Sequence, residues 1–450
     1  MATEQETAEL AERIEEALRG PDVNEAADAL TSIHPADRAD LYERLDSELQ
    51  EAFLSLLSAE EMAELMEYLD DEVREEVTAR MPRATLARVL DRMSNDEAVD
   101  VLRSLPAADA ARVLSGMATA QEVTPLLGHD DESAGGLMTR GYVALHPEMT
   151  AQQAITFLRL RKPTADEAYY LYVLDVRNRL QGVVNLRELL VSDPDAPIVD
   201  VMTADAIAVE PETDREEVAR LIQRYRLRAL PVVDENRVLV GIITADDAME
   251  VASEEATEDM YRMVGLLSDD SVYAPVLVSA RRRVPWLAIN LVAAFLAAAM
   301  VAAFEDTIAK AAALAVFMPV VAGQGGNSGI QSITIVVRAL ALGEIQGEDA
   351  RRVLVKEVAI GLVKGLAFGT LIGLLAWGWQ GEPAWGFVVG VALLLNMVMA
   401  GFLGAVIPLS MRALKLDPAI ASGIFLTMAT DALGFLFLLG LGALLIDQLT

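Results

Sequence analysis

The sequence predicts a multidomain membrane protein: an all-α superhelical solenoid, a repeated α/β pair, a connecting helix and five transmembrane helices. Three observations predict it. A 12-residue pattern recurs through residues 30–120, two copies of a strand–helix pattern fill residues 130–252, and five apolar stretches follow residue 284. Charge divides the chain near the same place. The 450 residues carry 68 acids against 36 Lys and Arg, a net charge of −32. Residues 281–450 hold 10 acids and 11 bases, which leaves 58 acids and 25 bases in residues 1–280. So acidic a body opposes nucleic-acid binding, whose affinity comes from Lys and Arg at phosphate, and it suits a response to cations. The chain has no cysteine, which excludes disulfides and thiolate metal sites.

In the first element an apolar residue precedes a helix-starting pair every 12 positions, at Ile33, Leu45, Leu57, Leu69, Met81, Met93, Leu105 and Met117. Ser and Asp cap helix starts and Pro suits the first turn. Each unit therefore reads as one short helix and a tight turn, and stacked units make a solenoid. His34, just before Pro35 at a repeat turn, is expected to be structural rather than a ligand.

In the second element "LMTRGYVALHPEMTAQQAITFLR" (137–159) matches "VMTADAIAVEPETDREEVARLIQ" (201–223), and residues 171–189 match 230–248. Each half reads strand, helix, strand, strand, helix, with hairpins at the "DVRN" and "DENR" turns. The pattern resembles a pair of CBS modules, a ligand-sensing fold. Gly241, Thr244 and Asp247 match that fold's G-x-x-T-x-x-D pattern, while Gly182, Asn185 and Glu188 match it more weakly.

The connector follows. As a helix, residues 244–265 place Asp246, Glu250, Glu254 and Glu258 at successive i, i+4 positions, flanked by Asp247, Glu255 and Asp259. Like charges at that spacing repel. Asp96 and Asp100 form another such pair in the solenoid. Mg²⁺ takes oxygen ligands and keeps several waters, so paired surface carboxylates suffice to hold it and to draw such faces together.

The apolar stretches run roughly Val284–Phe304, Ala311–Val337, Val358–Trp379, Trp385–Pro408 and Pro418–Ile446. About 20 apolar residues span a bilayer core. Arg281, Arg282, Arg283, Arg338, Arg351, Arg352, Lys356, Arg412 and Lys415 fall on one side and only Lys310 in the loops of the other. The positive-inside rule then puts the acidic part in the cytoplasm and the C-terminus outside, in the inner (plasma) membrane. The N-terminus "MATEQETAEL" has no apolar signal-peptide core. The second stretch contains "MPVVAGQGGNSGIQS" (318–332), where a proline and four glycines read either as close helix packing through small residues or as a broken helix lining a wet cavity, and Gln324, Asn327 and Gln331 favour the second. The last stretch carries Asp431 with Thr427 and Thr430 close by and no base to pair with it; Lys364 lies near the cytoplasmic end of the third. A carboxylate near the bilayer centre costs about 2.5–3.5 kcal/mol on insertion scales, so it reads as a cation site. A symmetric dimer would set two Asp431 carboxylates around one axis, a ring of acids that selects cations.

This order of elements resembles the MgtE family of bacterial magnesium channels over essentially the whole chain. The motifs are Gly135-Gly136-Leu137-Met138-Thr139 at the entry to the CBS pair, "EATED" at Glu255–Asp259, Gly325-Gly326-Asn327 in the second span, and Asp431. The resemblance implies an acidic N domain (1–129), a CBS pair (130–252), a plug helix (253–280) and a five-helix transmembrane domain (281–450). It implies a homodimer in the lipid bilayer that imports Mg²⁺ down its gradient, closes when cytosolic Mg²⁺ binds, and takes ATP as a modulator. Asp431 and Thr427 would hold the pore ion, with Asn327, Gln331, Gly325 and Gly326 lining the path. Asp96, Asp100, Asp247, Glu255, Glu258, Asp259 and Glu216 would be sensor ligands, and Tyr170, Arg187, Glu188 and Thr244 would meet the nucleotide. Two departures stand out: Ile330 where the family often has Asn, and Arg226 and Leu227 where an acid and an aromatic are familiar. The alternatives are a less selective channel passing Co²⁺, Ni²⁺ or Mn²⁺, and a membrane-anchored nucleotide sensor without a pore. No P-loop is present, and no nucleophile, base and orienter can be assembled, so an enzyme is not expected.

Overall fold

The computed structural model describes residues 14, 30–31, 33–163, 170–266, 276–345, 349–418 and 422–449. Most of residues 1–32 of the expected N domain, and residues 267–275 of the expected plug segment, lie outside that set. Two compact units divide the chain, Met1–Ala252 and Ser253–Thr450.

All eight 12-residue units of the first body form helices: α1 Pro35–Arg44, α2 Ser47–Leu56, α3 Ala59–Met66, α4 Asp71–Arg80, α5 Arg83–Leu90, α6 Asn95–Ser104, α7 Ala107–Leu114 and α8 Ala120–Val123. They pack on second neighbours: α1 on α3, α3 on α5 and α5 on α7, with α4 on α6 and α6 on α8. The structural period is therefore two helices. Side chains tie one period to the next. Glu43, Glu67 and Asp91 accept from the backbone N–H groups of Asp70, Ser94 and Thr119 at 3.1, 2.9 and 3.0 Å. Those N–H groups belong to the residues that open α4, α6 and α8. Self-capping operates at α2, where Asp46 accepts from Leu49, and at α3, where Ser58 and Glu61 form a capping box. Asp70 and Ser94 make no side-chain cap. His34 is structural, as expected: its Nδ1 accepts from Ala36 N–H at 3.2 Å, and its ring meets Tyr68 edge-on.

The α/β pair begins with α9 (Ala134–Leu137). The first half adds β1 (Val143–Leu145), α10 (Ala151–Arg161), β2 (Tyr170–Leu174), β3 (Leu180–Asn185) and α11 (Leu186–Val191). The second half has α12 (Ile198–Val201), β4 (Thr203–Ala204), α13 (Arg215–Tyr225), β5 (Ala229–Val233), β6 (Leu239–Thr244) and α14 (Ala245–Met263). The halves exchange their entry segments. β4 pairs with β3 of the first half, while Thr139 bridges Ile242 of the second. The expected strand around residue 209 is reduced to one parallel bridge, Val209 to Val232.

The second unit holds α15 (Val276–Ala302), α16 (Glu305–Lys310), α17 (Leu314–Ala341), α18 (Ala350–Gln380), α19 (Pro383–Ala413), α20 (Ser422–Leu444) and α21 (Ile446–Leu449). Among the described residues, α15, α18, α19 and α20 are long and apolar enough to cross a membrane. The fifth expected span, α17, is 28 residues long but diluted by its amides and glycines. It is also unbroken, contrary to expectation. A helix in hydrocarbon has no water to replace its backbone hydrogen bonds, and this outweighs the roughly 1 kcal/mol by which each glycine disfavours a helix. The glycines let neighbours approach instead. A Cβ on Gly329 would lie 2.9 Å from the Leu426 methyls of α20. The closest approach is between α18 and α19, where Gly361, Gly365, Gly369 and Gly373 recur every fourth residue. A Cβ on Gly369 would sit 2.6 Å from Gly390 O, and one on Gly390 would sit 2.7 Å from Gly369 O.

Candidate functional site

The residues expected to line the ion path lie on α17 and α20. Gln324, Asn327, Gln331 and Thr334 are exposed along one face of α17 at spacings of three and four, and Ile330 shares that face at 46 % exposure. Gln331 Oε1 accepts from Lys364 Nζ of α18 at 3.0 Å. Gly325 and Gly326 are buried on other faces, Gly325 against Asn396 of α19, while a Cβ on Gly326 would lie 3.8 Å from Thr430 Oγ1. On α20, Thr427 is exposed and Asp431, one turn later, is partly buried. Thr430 is fully buried and donates back to the Leu426 and Thr427 carbonyls at 2.9 and 3.1 Å. Part of the Thr427 carbonyl's capacity is thus already used.

A second site lies wholly within the first unit, where α6 meets the start of α14. Asp96, Glu97 and Asp100 come from α6, and Asp246, Asp247 and Glu250 from α14; the Asp96, Asp100, Asp246 and Glu250 charges each disfavour ionisation of another member of the set. Burial, then mutual repulsion, drives the shifts. Burial and the Asp96 charge push Asp247 up to about 7. Asp96 rises to about 6 through burial and the Asp100 and Glu67 charges. Glu97 is the most affected, at about 8, because burial exceeds the opposing pull of Arg74. Asp247 Oδ2 accepts from Thr244 Oγ1 at 2.5 Å, whereas Asp96 Oδ1 is buried with no hydrogen-bond partner. Among the described residues, no three such side chains converge as a ready ligand set. An orphaned carboxylate oxygen among mutually repelling acids is nonetheless the donor chemistry that a hydrated Mg²⁺ requires.

A third cluster lies in the second unit. Burial and the Asp417 charge raise Asp259 to about 6, and Glu255 and Glu258 add to that rise. Arg262 pairs with Glu258 and donates from Nη1 to Asp417 Oδ2 at 2.5 Å. The expected sensor residues thus fall into two groups, one at each end of α14. Glu216 is in neither. It lies in the first turn of α13, and its charge acts on Arg220. Sequence reasoning missed Glu67, Glu97, Arg262, Asp417 and Asn396. Glu97 was legible as the neighbour of Asp96 on an acidic turn; Asp417 carried no signal of its own.

The nucleotide candidates are partly gathered. Tyr170 faces Asn185 across the β2–β3 ladder, and Arg187 and Glu188 follow on α11, so these three lie near one end of that ladder. Thr244 ends β6 in the other half, and its hydroxyl is committed to Asp247. Arg226 is the left-handed residue closing α13 (φ 53°), and Leu227 packs partly buried against the core.

The raised carboxylates set a pH dependence. In the folded chain these acids hold their protons above their ordinary values of 3.8 and 4.5. Folding is therefore favoured by their protonation, and that contribution is lost as pH rises from about 4 through 8. In EDTA, protease resistance of the α6–α14 region should fall between pH 5 and 8, and Mg²⁺ should flatten the profile. A profile flat without Mg²⁺ refutes the repulsion.

Comparison with known proteins agrees with this geometry. Residues 318–441 match the family described as a divalent cation transporter, MgtE; residues 33–132 match the MgtE intracellular N domain, and residues 134–194 and 198–254 match CBS domains. The magnesium transporter MgtE of Thermus thermophilus is 39% identical over 333 residues, 73% of each chain. That of Bacillus subtilis is 36% identical over 330 residues, again 73% of each. A crystal structure of the soluble part of a magnesium transporter aligns at a TM-score of 0.52 and 32% identity, over 56% of this chain and 100% of its own. The cytosolic domain of the Mg²⁺ channel MgtE in complex with ATP aligns at 0.52 and 36%, over 54% and 99%. The chain belongs to the MgtE family.

Proposed function

We propose that the chain carries Mg²⁺ across the membrane along the exposed polar face of α17 and the Thr427–Asp431 face of α20, and that cytosolic Mg²⁺ closes this path. The observation that carries the reading is the polar stripe itself. Gln324, Asn327, Gln331 and Thr334 lie exposed on a helix of an otherwise apolar bundle. Facing lipid they would be costly; facing a second copy, they enclose water. A symmetric pair places two Asp431 carboxylates at one axis. The N-terminal unit then faces the cytoplasm and the C-terminus the outside, as the basic loops require.

Regulation rests on α14. Asp96, Asp100 and Asp247 would hold Mg²⁺ near its start, and Glu255, Glu258 and Asp259 near its end. Bound Mg²⁺ supplies the charge that these acids lack. ATP is a modulator in this reading. A relative's cytosolic domain is known in complex with ATP, and Tyr170, Arg187 and Glu188 offer an aromatic, a base and an acid near one end of the β2–β3 ladder. The transport is passive and needs no hydrolysis.

One observation favours a broader cation range. Ile330 puts a branched apolar side chain on the exposed face of α17, removing an amide from the path. Proteoliposomes of the full chain should take up Mg²⁺, and Co²⁺, Ni²⁺ or Mn²⁺ should compete weakly. Strong competition favours the broader channel, and no uptake at all leaves the membrane-anchored sensor.

A further inference from the structure

Asn396 lies in the apolar run of α19, remote in sequence from every residue assigned above, and is 0 % exposed. Its Nδ2 donates to the Val321 carbonyl of α17 at 2.9 Å. The partner is a carbonyl, so the amide's orientation is forced. Its Oδ1 is buried without a partner. Two glycines make room for it. A Cβ on Gly325 would come within 2.1 Å of Nδ2, and one on Gly434 of α20 within 2.8 Å. The side chain thus fills a slot between α17 and α20. Four residues beyond Val321 begins Gly325-Gly326-Asn327, and three residues before Gly434 stands Asp431.

In a helix the Val321 carbonyl already serves the Gly325 N–H. A second donor reaches it only because Gly325 presents no side chain there. Leu would fill the slot with similar volume but would not fix the axial register of α17, because apolar contacts are not directional. We propose that Asn396 is a positioning residue for ion selection. Its amide pins α17 in register with α19, and with the same side chain seated against Gly434 of α20 it sets the α17 amides relative to the Asp431 carboxylate. The proposal rests on the reading of Asp431 as the pore ligand.

The test measures uptake of Mg²⁺ and Ca²⁺ by proteoliposomes of the full chain. Asn396→Ala should lower the Mg²⁺-to-Ca²⁺ ratio roughly tenfold, a modest share of the ~100-fold that a 1 Å misplacement costs in a tuned site. Leu393→Ala, which empties a neighbouring buried position on α19, should reduce stability but keep the ratio. In Asn396→Ala/Gly434→Ala a methyl enters the vacated slot, so packing recovers while the ratio stays low. An unchanged ratio in either assembled Asn396 variant overturns the proposal, as does recovery of the ratio in the double variant. Loss of assembly in both assigns Asn396 to folding and also overturns it. Asp431→Ala run alongside separates the two readings: undiminished flux there sinks the pore role, whereas dead flux there with an unchanged Asn396 ratio sinks only this proposal.

Discussion

Asp431→Ala is expected to reduce Mg²⁺ uptake at least ~100-fold while leaving assembly intact. A carboxylate and a divalent cation about 4 Å apart attract by roughly 8 kcal/mol at an effective dielectric near 20, before any desolvation cost. If only a third of that survives, its loss is about 100-fold. Stability should move the other way, because Asp431 lies in a helix apolar enough to cross a membrane, and alanine removes an insertion cost of about 2.5–3.5 kcal/mol. Asp431→Asn separates charge from shape. It keeps an oxygen ligand and loses the charge, so flux should stay low. If Asn restores flux, the ion is held by polar ligation alone. Selective uptake that survives in Asp431→Ala removes the pore role altogether.

The stripe on α17 and the acid on α20 could be found in the sequence because their residue types conflict with their surroundings. Amides and a carboxylate among apolar residues demand an explanation, whatever the fold. The solenoid was legible for a different reason: each 12-residue unit carries its own helix-start signal. Its two-helix period was not, because the ties that create it join residues about 27 apart, as from Glu43 to Asp70. Spacing within a unit cannot reveal them. The glycines of α17 misled because local propensity predicts a break, whereas hydrocarbon enforces the backbone ladder. Asn396 had a signal in its polarity, but its partner is a backbone carbonyl 75 residues away. The α6–α14 cluster was half-read. Each i, i+4 acidic pair stood out on its own helix, but that the two pairs act on one another depends on how α6 and α14 pack.

Asp96→Asn/Asp247→Asn should change the first unit in opposite directions with and without Mg²⁺. Burial raises both pKa values first; the Asp96 charge then adds to the rise of Asp247 more than any other charge, and those of Asp100 and Glu67 add to that of Asp96. Asparagine keeps the shape, and its carbonyl can still accept from Thr244. In EDTA the variant should therefore resist protease better than the parent chain. In Mg²⁺ the parent should gain protection, and the variant should need roughly tenfold more Mg²⁺ to gain as much. A ligand present at 100 times its Kd stabilises by about 2.7 kcal/mol, so weakening it tenfold removes half of that. Closure of the path is linked to the same binding. Mg²⁺ inhibition of flux should shift by the same factor, because one equilibrium cannot favour the closed form more than its ligand prefers it. A packing role for the two acids predicts lower resistance in both conditions. Higher resistance in EDTA together with an unshifted Mg²⁺ response would place the sensor ion elsewhere, at Glu255, Glu258 and Asp259. The two readouts thus assign the sensor to one end of α14 or the other.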